Sequence, residues 1–390
     1  MADWLQAGDE LGPSSILHVH DPDTGMRGVV VVDTMVTGVT GGGTRMMPDI
    51  TSDEIFGLAR AMTYKMATLD LPVGGAKAGI RADPAIAGEE REAVLRSFGR
   101  HVQPLLASGL TLGADIGTDA DDVDRIYAGA GRNSGYTGLS SEQIDGEPLE
   151  NHATGYGVIV AAAAACKLAG LELASASVAI EGFGKVGSGA ARYLAGRGGR
   201  LAAVSTIRGT VYDPDGLDVD RLLALRRRHG DDLVDHCEGA ERLPREALYG
   251  LPVDVLIPGA RPYVIDEHNV AGVQARVISS IANIPITDAA EQVLADNGVL
   301  VVPDFISNAG GVVVAVLDQL GGSVDDVFHS LDQVIAPLTR EILEESRQAG
   351  VTPRSLAVSR ATQKALAARR AGGEQSMEER YLRMRRRFLG

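Results

Sequence analysis

A chain of 390 residues with 45% hydrophobic and 23% charged residues has the composition of an ordinary globular protein, long enough for two domains with a core in each. Its net charge of -15 excludes nucleic acid as an expected partner, because phosphate binding needs a basic field. Two cysteines, Cys166 and Cys237, cannot build a disulfide framework and no Cys/His cluster has zinc-ligand spacing, so no metal is expected and a reducing cytoplasm fits best.

The first ten residues are acidic and lack the apolar core of a signal peptide. Residues 15–20 and 28–33 then read as two strands joined by the turn Asp21-Pro22-Asp23-Thr24-Gly25, with a third strand near 34–40. The glycine triplet Gly41-Gly42-Gly43 before Thr44-Arg45 interrupts the strand pattern and marks a tight turn or a close backbone approach. A helix follows, opened by the capping pair Thr51 and Glu54 and carrying Ile55, Leu58, Ala59 and Met62 on one face. Lys65 lies one turn beyond that stripe, where a lysine can enter a cleft while its stem packs on apolar neighbours.

Lysine is rare in this chain. It occurs only at positions 65, 77, 167, 185 and 364, so 32 of the 37 basic residues are arginine. Two of the five fall twelve residues apart around Leu69-Asp70-Leu71-Pro72-Val73-Gly74-Gly75, which points to a site that needs a compact ammonium. Lys77 follows Val-Gly-Gly, where missing side chains let a small molecule approach the backbone. The alternative is that both lysines only coat the surface.

Further along, a strand is expected at 78–82, a helix at 87–106 and a strand at 110–114 that ends in Asp115-Ile116-Gly117-Thr118. Asp115 is either a strand-end site residue or a cap for the helix that starts near Asp119. Residues 132–151 show no periodicity and form the domain boundary. Thr154-Gly155-Tyr156-Gly157 leads into a small apolar helix at 158–168, which includes the longest apolar run of the chain and is about half a membrane span.

A strand at 177–180 precedes Glu181-Gly182-Phe183-Gly184-Lys185-Val186-Gly187, a helical stretch and a second strand at 201–204. A glycine fingerprint in that context predicts a dinucleotide site, with the pyrophosphate on the helix N-terminus. NAD sites usually place an acid at the tip of the second strand. Here Ser205-Thr206-Ile207-Arg208 stands there, with no acidic residue between Glu181 and Asp213. Thr206 and Arg208 can bind a 2′-phosphate, so NADP is preferred and NAD is possible. More parallel strands are expected at 253–257, 276–281 and 299–302, with Ala282-Asn283 and Asn308-Ala309-Gly310-Gly311 on the strand-end side where ligands bind. After Gly321 the pattern is helical and charged, and Arg383, Arg385, Arg386 and Arg387 read as a helix end or a subunit contact.

Taken in order, Gly42-Gly43-Thr44-Arg45, Met62-Thr63-Tyr64-Lys65, Gly74-Gly75-Ala76-Lys77, Asp115-Ile116-Gly117, Ala153-Thr154-Gly155-Tyr156-Gly157, Gly182-Phe183-Gly184-Lys185-Val186-Gly187 and Asn308-Ala309-Gly310-Gly311-Val312 resemble the glutamate/leucine/phenylalanine/valine dehydrogenases. The resemblance implies an α/β protein of two domains. Residues 1–145 would form an α/β substrate-binding and oligomerisation domain, 146–330 a Rossmann NAD(P)-binding domain, and 331–390 C-terminal helices that partly return to the first. It further implies a homo-oligomer that converts an L-amino acid reversibly to a 2-oxo acid and ammonia. By motif position Lys65 holds the substrate α-carboxylate, Lys77 is the catalytic lysine and Asp115 moves protons to and from the amino nitrogen. Thr154 and Asn283, beside Ala282, contact the nicotinamide end, and Asn308 contacts the substrate.

Glutamate-type members are similar in carrying a lysine just before the Gly-Gly-Thr-Arg element and a serine seven residues after the asparagine of Asn-Ala-Gly-Gly. This chain has Gly41 and Ala315 there. Binding a distal carboxylate in such a pocket leaves a buried charge unpaired. With Gly42, Ala114 and Val312 completing a leucine-type pocket, the resemblance implies a leucine, valine or phenylalanine side chain. Glutamate, or a non-catalytic relative that only binds nucleotide or amino acid, is the alternative. Glu150 is a second departure, since many glutamate-type members have arginine at that place.

Overall fold

The computed structural model describes residues 8–134, 138–371 and 377–390, and the chain divides into two compact units. The first comprises Met1–Ser141 and Val358–Arg386; the second comprises Glu142–Ala357 and Arg387–Gly390.

In the first unit, β1 (Ser15–His20) and β2 (Arg27–Val32) form a hairpin, followed by β3 (Thr40–Met46), α1 (Ser52–Thr68), β4 (Gly74–Ile80), α2 (Gly88–Ala107), β5 (Leu110–Ala114) and α3 (Ala120–Gly129). The sheet order is β1-β2-β4-β3-β5, with β3 parallel to both β4 and β5. Side chains alternate between the two faces of the sheet. Val30, Val32, Ala76, Ala78 and Ile80 pack with Leu95, Phe98 and Ile126 of α2 and α3, while Val29 and Val31 pack on Ile55, Leu58 and Ala59 of α1.

Three expectations for this unit change. Residues 34–40 form no strand of their own; Val36 and Val39 bridge across a turn, with Thr37 at φ 56. The glycine triplet lies inside β3 instead, because a strand enclosed by two neighbours has no room for side chains there. A Cβ on Gly42 would stand 1.7 Å from the Ala76 carbonyl oxygen. The strand expected at 78–82 begins earlier, at Gly74, so Lys77 lies in its middle.

The second unit begins with a short hairpin of β6 (Gln143–Ile144) and β7 (Glu147–Pro148), then α4 (Leu149–Leu168), β8 (Ser177–Glu181), α5 (Lys185–Gly196), β9 (Arg200–Thr206) and β10 (Gly209–Tyr212). After these come α6 (Val219–His229), β11 (Glu241–Leu243), β12 (Val255–Ile257), β13 (Val277–Ser279), α7 (Asp288–Asp296), β14 (Leu300–Val302), α8 (Asp304–Ser307), α9 (Gly310–Leu320) and α10 (Val324–Ala349). The strands run β11-β10-β9-β8-β12-β13-β14, parallel from β9 through β14 with β10 and β11 as an antiparallel edge. The strand order reverses at β8, and such a switch point leaves a crevice at the carboxyl ends of the strands.

Helix α4 starts nine residues before the expected 158 and contains Thr154-Gly155-Tyr156-Gly157. Its glycines do not break it because they are contact points: a Cβ on Gly155 would lie 2.7 Å from the Ala190 nitrogen, and one on Gly157 3.0 Å from the Ser307 carbonyl. Helix α11 (Pro353–Ala371) starts in the second unit and ends in the first, where Ala361 and Ala365 pack with Leu11 and Ala67. Helix α12 (Met377–Phe388) contains the C-terminal arginine run. Among the described residues no helix is long and apolar enough to cross a membrane, and no group of three or more His, Cys, Asp and Glu side chains could hold a metal.

Candidate active site

Alternation along β4 directs Ala76 and Ala78 into the α2–α3 core, so Lys77 faces the side of the sheet covered by α1. Lysine is seldom buried without a partner, and Lys77 is only 5% exposed. Its Nζ lies 2.7 Å from Asp115 Oδ2. The same oxygen accepts from Arg45 Nε at 3.1 Å, and Arg45 Nη1 reaches Glu54 Oε1 at 2.7 Å. Gly43 makes this cluster possible. A Cβ there would stand 2.7 Å from the Ala114 carbonyl, 2.9 Å from Asp115 Cβ and 3.1 Å from Lys77 Nζ.

Burial alone raises the Asp115 carboxyl, but the facing charges of Lys77 and Arg45 outweigh it and hold the group well below the usual carboxylate range. The capping role belongs to Asp119, which accepts from the Asp122 N–H in a complete capping box. Asp115 instead donates its backbone N–H to Thr118 Oγ1 at 3.0 Å. Lys65, in the last turn of α1, is also buried. Both lysines are therefore interior groups rather than a surface coat.

Arg45 was legible only as part of a motif, with no role attached. An arginine set in a glycine-rich central strand is a signal for a charge that must reach a buried partner. Strand parity corrects Ala114: it follows Leu110 and Leu112 into the α2–α3 core, and the residues of β5 on the Lys77 face are Thr111 and Gly113, leading to Asp115. Gly41 shares that face, and a Cβ there would meet Thr111 Oγ1 at 2.6 Å; Gly42 has the opposite parity, and a Cβ there would run into the Ala76 carbonyl.

In the second unit the glycine turn lies at the end of β8. Gly182 adopts φ 79, and the N–H groups of Gly182 and Phe183 donate to the Ser205 carbonyl at 3.1 and 3.0 Å, which docks the turn on β9. Gly187 closes it, since a Cβ there would lie 1.9 Å from the Gly182 oxygen. Gly184 caps α5 without a side-chain hydrogen bond and with open space where its Cβ would be. The N–H groups of Lys185 and Val186 in this first turn suit a pyrophosphate, so the residues fit a dinucleotide. Glu181, 1% exposed, fixes the neighbouring loop by accepting from Tyr249, Arg245, Gly259 N–H and Ala260 N–H.

The tip of β9 differs from its expected chemistry. The Thr206 hydroxyl donates to the Asp231 carbonyl at 2.8 Å, and Arg208 Nε pairs with Asp232 at 2.6 Å. Sequence distance hid these acids, which a 3₁₀ turn over Gly230–Asp235 returns to the strand.

At the far end of the sheet Asn308 Nδ2 donates to Asn283 Oδ1 at 2.9 Å and to the Ile281 carbonyl at 3.0 Å, with the Ala282 carbonyl at 3.5 Å. The Thr154 hydroxyl donates to the Glu150 carbonyl at 2.8 Å and accepts the Gly311 N–H at 3.2 Å. Asn283, Asn308 and Thr154 are thus gathered around one corner. Val312 and Ala315 follow on α9, three residues apart on one face, Val312 half-buried and Ala315 exposed.

Comparison with known proteins finds family models that match both parts of the chain. The family model described as Glutamate/Leucine/Phenylalanine/Valine dehydrogenase matches residues 146–373, and that of the Glu/Leu/Phe/Val dehydrogenase dimerisation domain matches 13–130. A glutamate dehydrogenase of Thermotoga maritima is 36% identical over 80% of this chain and 75% of its own length. Halobacterium salinarum supplies an NADP-specific glutamate dehydrogenase A1 at 34% identity (79% and 77% coverage) and an NAD-specific glutamate dehydrogenase A at 32% (83% and 76%). Among solved structures, the Leu-bound hetero-hexameric glutamate dehydrogenase of Thermus thermophilus superposes with a TM-score of 0.81 at 28% identity, covering 93% of this chain and 91% of that one. The L-tryptophan dehydrogenase of Nostoc punctiforme gives 0.65 at 25%, covering 91% and 97%.

Proposed function

The chain belongs to the glutamate/leucine/phenylalanine/valine dehydrogenase family of NAD(P)-dependent oxidoreductases that act on the CH–NH2 group of amino acids, and from that premise we propose that its substrate is an L-amino acid with an apolar side chain. The observation that carries this reading is the strip beside Lys77. Gly41, Gly43 and Gly113 bring no cation or hydroxyl to that face, and the nearby Arg45 is already committed to Asp115 and Glu54. A distal carboxylate bound there would pay its desolvation without a counter-charge.

The division of labour is the one the family resemblance implies, and the charges are compatible with it. Lys65 holds the substrate α-carboxylate. Asp115, kept ionised by its two cations, takes a proton from the substrate ammonium and returns it to the departing ammonia. Lys77 donates a hydrogen bond to the developing carbonyl oxygen and holds the water that attacks the imine carbon. Gly182, Gly184 and the first turn of α5 bind the pyrophosphate, while Thr154, Asn283 and Asn308 orient the nicotinamide end and the substrate. The bound nicotinamide supplies one piece of chemistry, acceptance of the substrate's α-hydride.

NADP is the preferred cofactor, with NAD possible. Arg208 at the β9 tip favours a 2′-phosphate, and its pairing with Asp232 moderates that preference. The chain works as a homo-oligomer assembled through its first unit, as the dimerisation-domain match suggests. Glutamate is the second reading, favoured by the names of the relatives. Purified protein assayed with leucine, valine, phenylalanine and glutamate, each with NADP and NAD, separates the two. The apolar reading expects kcat/KM on at least one of the first three to exceed that on glutamate, and the reverse order overturns it.

A further inference from the structure

The corner that carries Asn283 is an unfavourable piece of backbone. Ile284, next in the chain, adopts φ 51, a conformation that β-branched residues avoid and that a following proline, Pro285, disfavours further. Something must hold it. The Ile284 N–H donates to Asp304 Oδ2 at 3.0 Å, and its carbonyl accepts from Tyr263 N–H at 2.9 Å, itself at φ 55. Asp304 stands two residues after β14, at the start of α8, its side chain 1% exposed, and its second oxygen is paired with Arg354 Nη1. Its own carbonyl accepts the Asn308 N–H at 2.9 Å. One buried aspartate therefore grips the backbone on both sides of the Asn283–Asn308 hydrogen bond. Arg354, in the first turn of α11, lies with its guanidinium 5.7 Å from the Phe305 ring centroid, so both the cation and the carboxylate are enclosed.

We propose that Asp304, oriented by Arg354, is a positioning residue for the nicotinamide end of the dinucleotide: it holds the Asn283–Ile284 corner in its strained conformation and so sets where Asn283 and Asn308 present their amides. Backbone strain of this kind collects at ligand clamps and persists only where the surroundings over-determine it. Asp304 touches neither cofactor nor substrate in this scheme. The inference rests on the dinucleotide reading of the glycine turn, at the opposite end of the same nucleotide.

Calorimetric titration separates the two ends. Wild type and Asp304→Asn are each titrated with NADPH and with 2′-phospho-ADP-ribose, the same molecule without its nicotinamide. The variant is expected to bind NADPH about tenfold more weakly while its affinity for phospho-ADP-ribose changes less than about twofold. A merely structural role would weaken both ligands alike; equal losses, or no loss, overturn the proposal. Should Asp304→Asn fail to fold, Arg354→Gln is read in the same way, with Arg354→Lys expected to restore most of the NADPH affinity. A wild type that bound neither ligand would overturn the nucleotide reading itself, an outcome distinct from failure of the clamp alone.

Discussion

Two buried charge clusters, one in each unit, arrange the same kinds of charge differently. In the first unit Asp115 sits between two cations, Lys77 and Arg45, and the less buried Glu54 takes the outer side of Arg45. In the second, one cation, Arg354, faces two carboxylates: it pairs with Asp304, and its charge also acts on the buried Glu291. The arrangement decides what each can do. Two cations facing Asp115 directly keep it ionised, and the Lys77 ammonium has further protons to offer a reacting oxygen, so that cluster suits chemistry. With a surplus of negative charge the second cluster can satisfy only one of its acids. Burial, above all, pushes Glu291 up to about 7, against the pull of Arg354 and with the push of Asp304 and Asp288. Its remaining work is to hold backbone in place.

The contrast breaks most visibly at Lys77. Lys77→Ala should lower kcat by about 10²- to 10⁴-fold, the usual worth of a positioned acid–base group. Circular dichroism should show the fold retained, and near-wild-type turnover would remove Lys77 from the chemistry. Next in size is Gly43→Ala, whose new Cβ meets Asp115 Cβ and Lys77 Nζ. A displacement of the pair should lower kcat by about 10²-fold while NADPH affinity is unchanged.

Glu291→Gln probes the second cluster. A carboxyl whose folded pKa lies near 7, above its ordinary 4.5, binds more protons folded than unfolded, so wild-type stability falls as pH rises from about 4.5 through 7. Gln cannot titrate. The variant should therefore gain stability relative to wild type at pH 8, on the order of 2 kcal/mol, and lose that advantage at pH 4.5, as urea denaturation at the two pH values would show. Asp115 has the reverse sign, its contribution being complete above its ordinary 3.8 and lost only as pH falls below that. The smallest effect is expected at the β9 tip. Asp232→Asn should raise NADPH affinity about threefold, and the NADPH-to-NADH ratio of dissociation constants measures it.

Much of this was legible in the chain itself. The hairpin of β1 and β2, helix α1 and the β8–α5–β9 unit have local periodicity and turn residues that agree with their final state. The glycine triplet did not, because glycine has no intrinsic preference for strand and β3 is held by neighbours 30 to 70 residues away in sequence, in β4 and β5. Gly155 and Gly157 looked like a helix lead-in for a related reason: their purpose is contact with α5 and α8. Lys65, Lys77 and Asp115 could be singled out by type and place, whereas the parity that turns Ala114 away, and the partners Arg45 and Asp232, depend on register and on long-range return of the chain. The strain at Ile284 has no sequence signature beyond a proline after it.

The split membership of α11 bears on how the molecule is made. Leu11 accepts from Arg369 across 358 residues of chain, and Ala361 and Ala365 complete the apolar cluster around Ala67. During vectorial synthesis residues 142–357 leave the ribosome before any of 358–386, so the unit translated first cannot be completed until nearly the whole chain has emerged. Its lysine-bearing helix waits, partly uncovered, for the tail that seals it, and truncation after Ala357 would strip the N-terminal half of the segment that packs on Leu11 and Ala67.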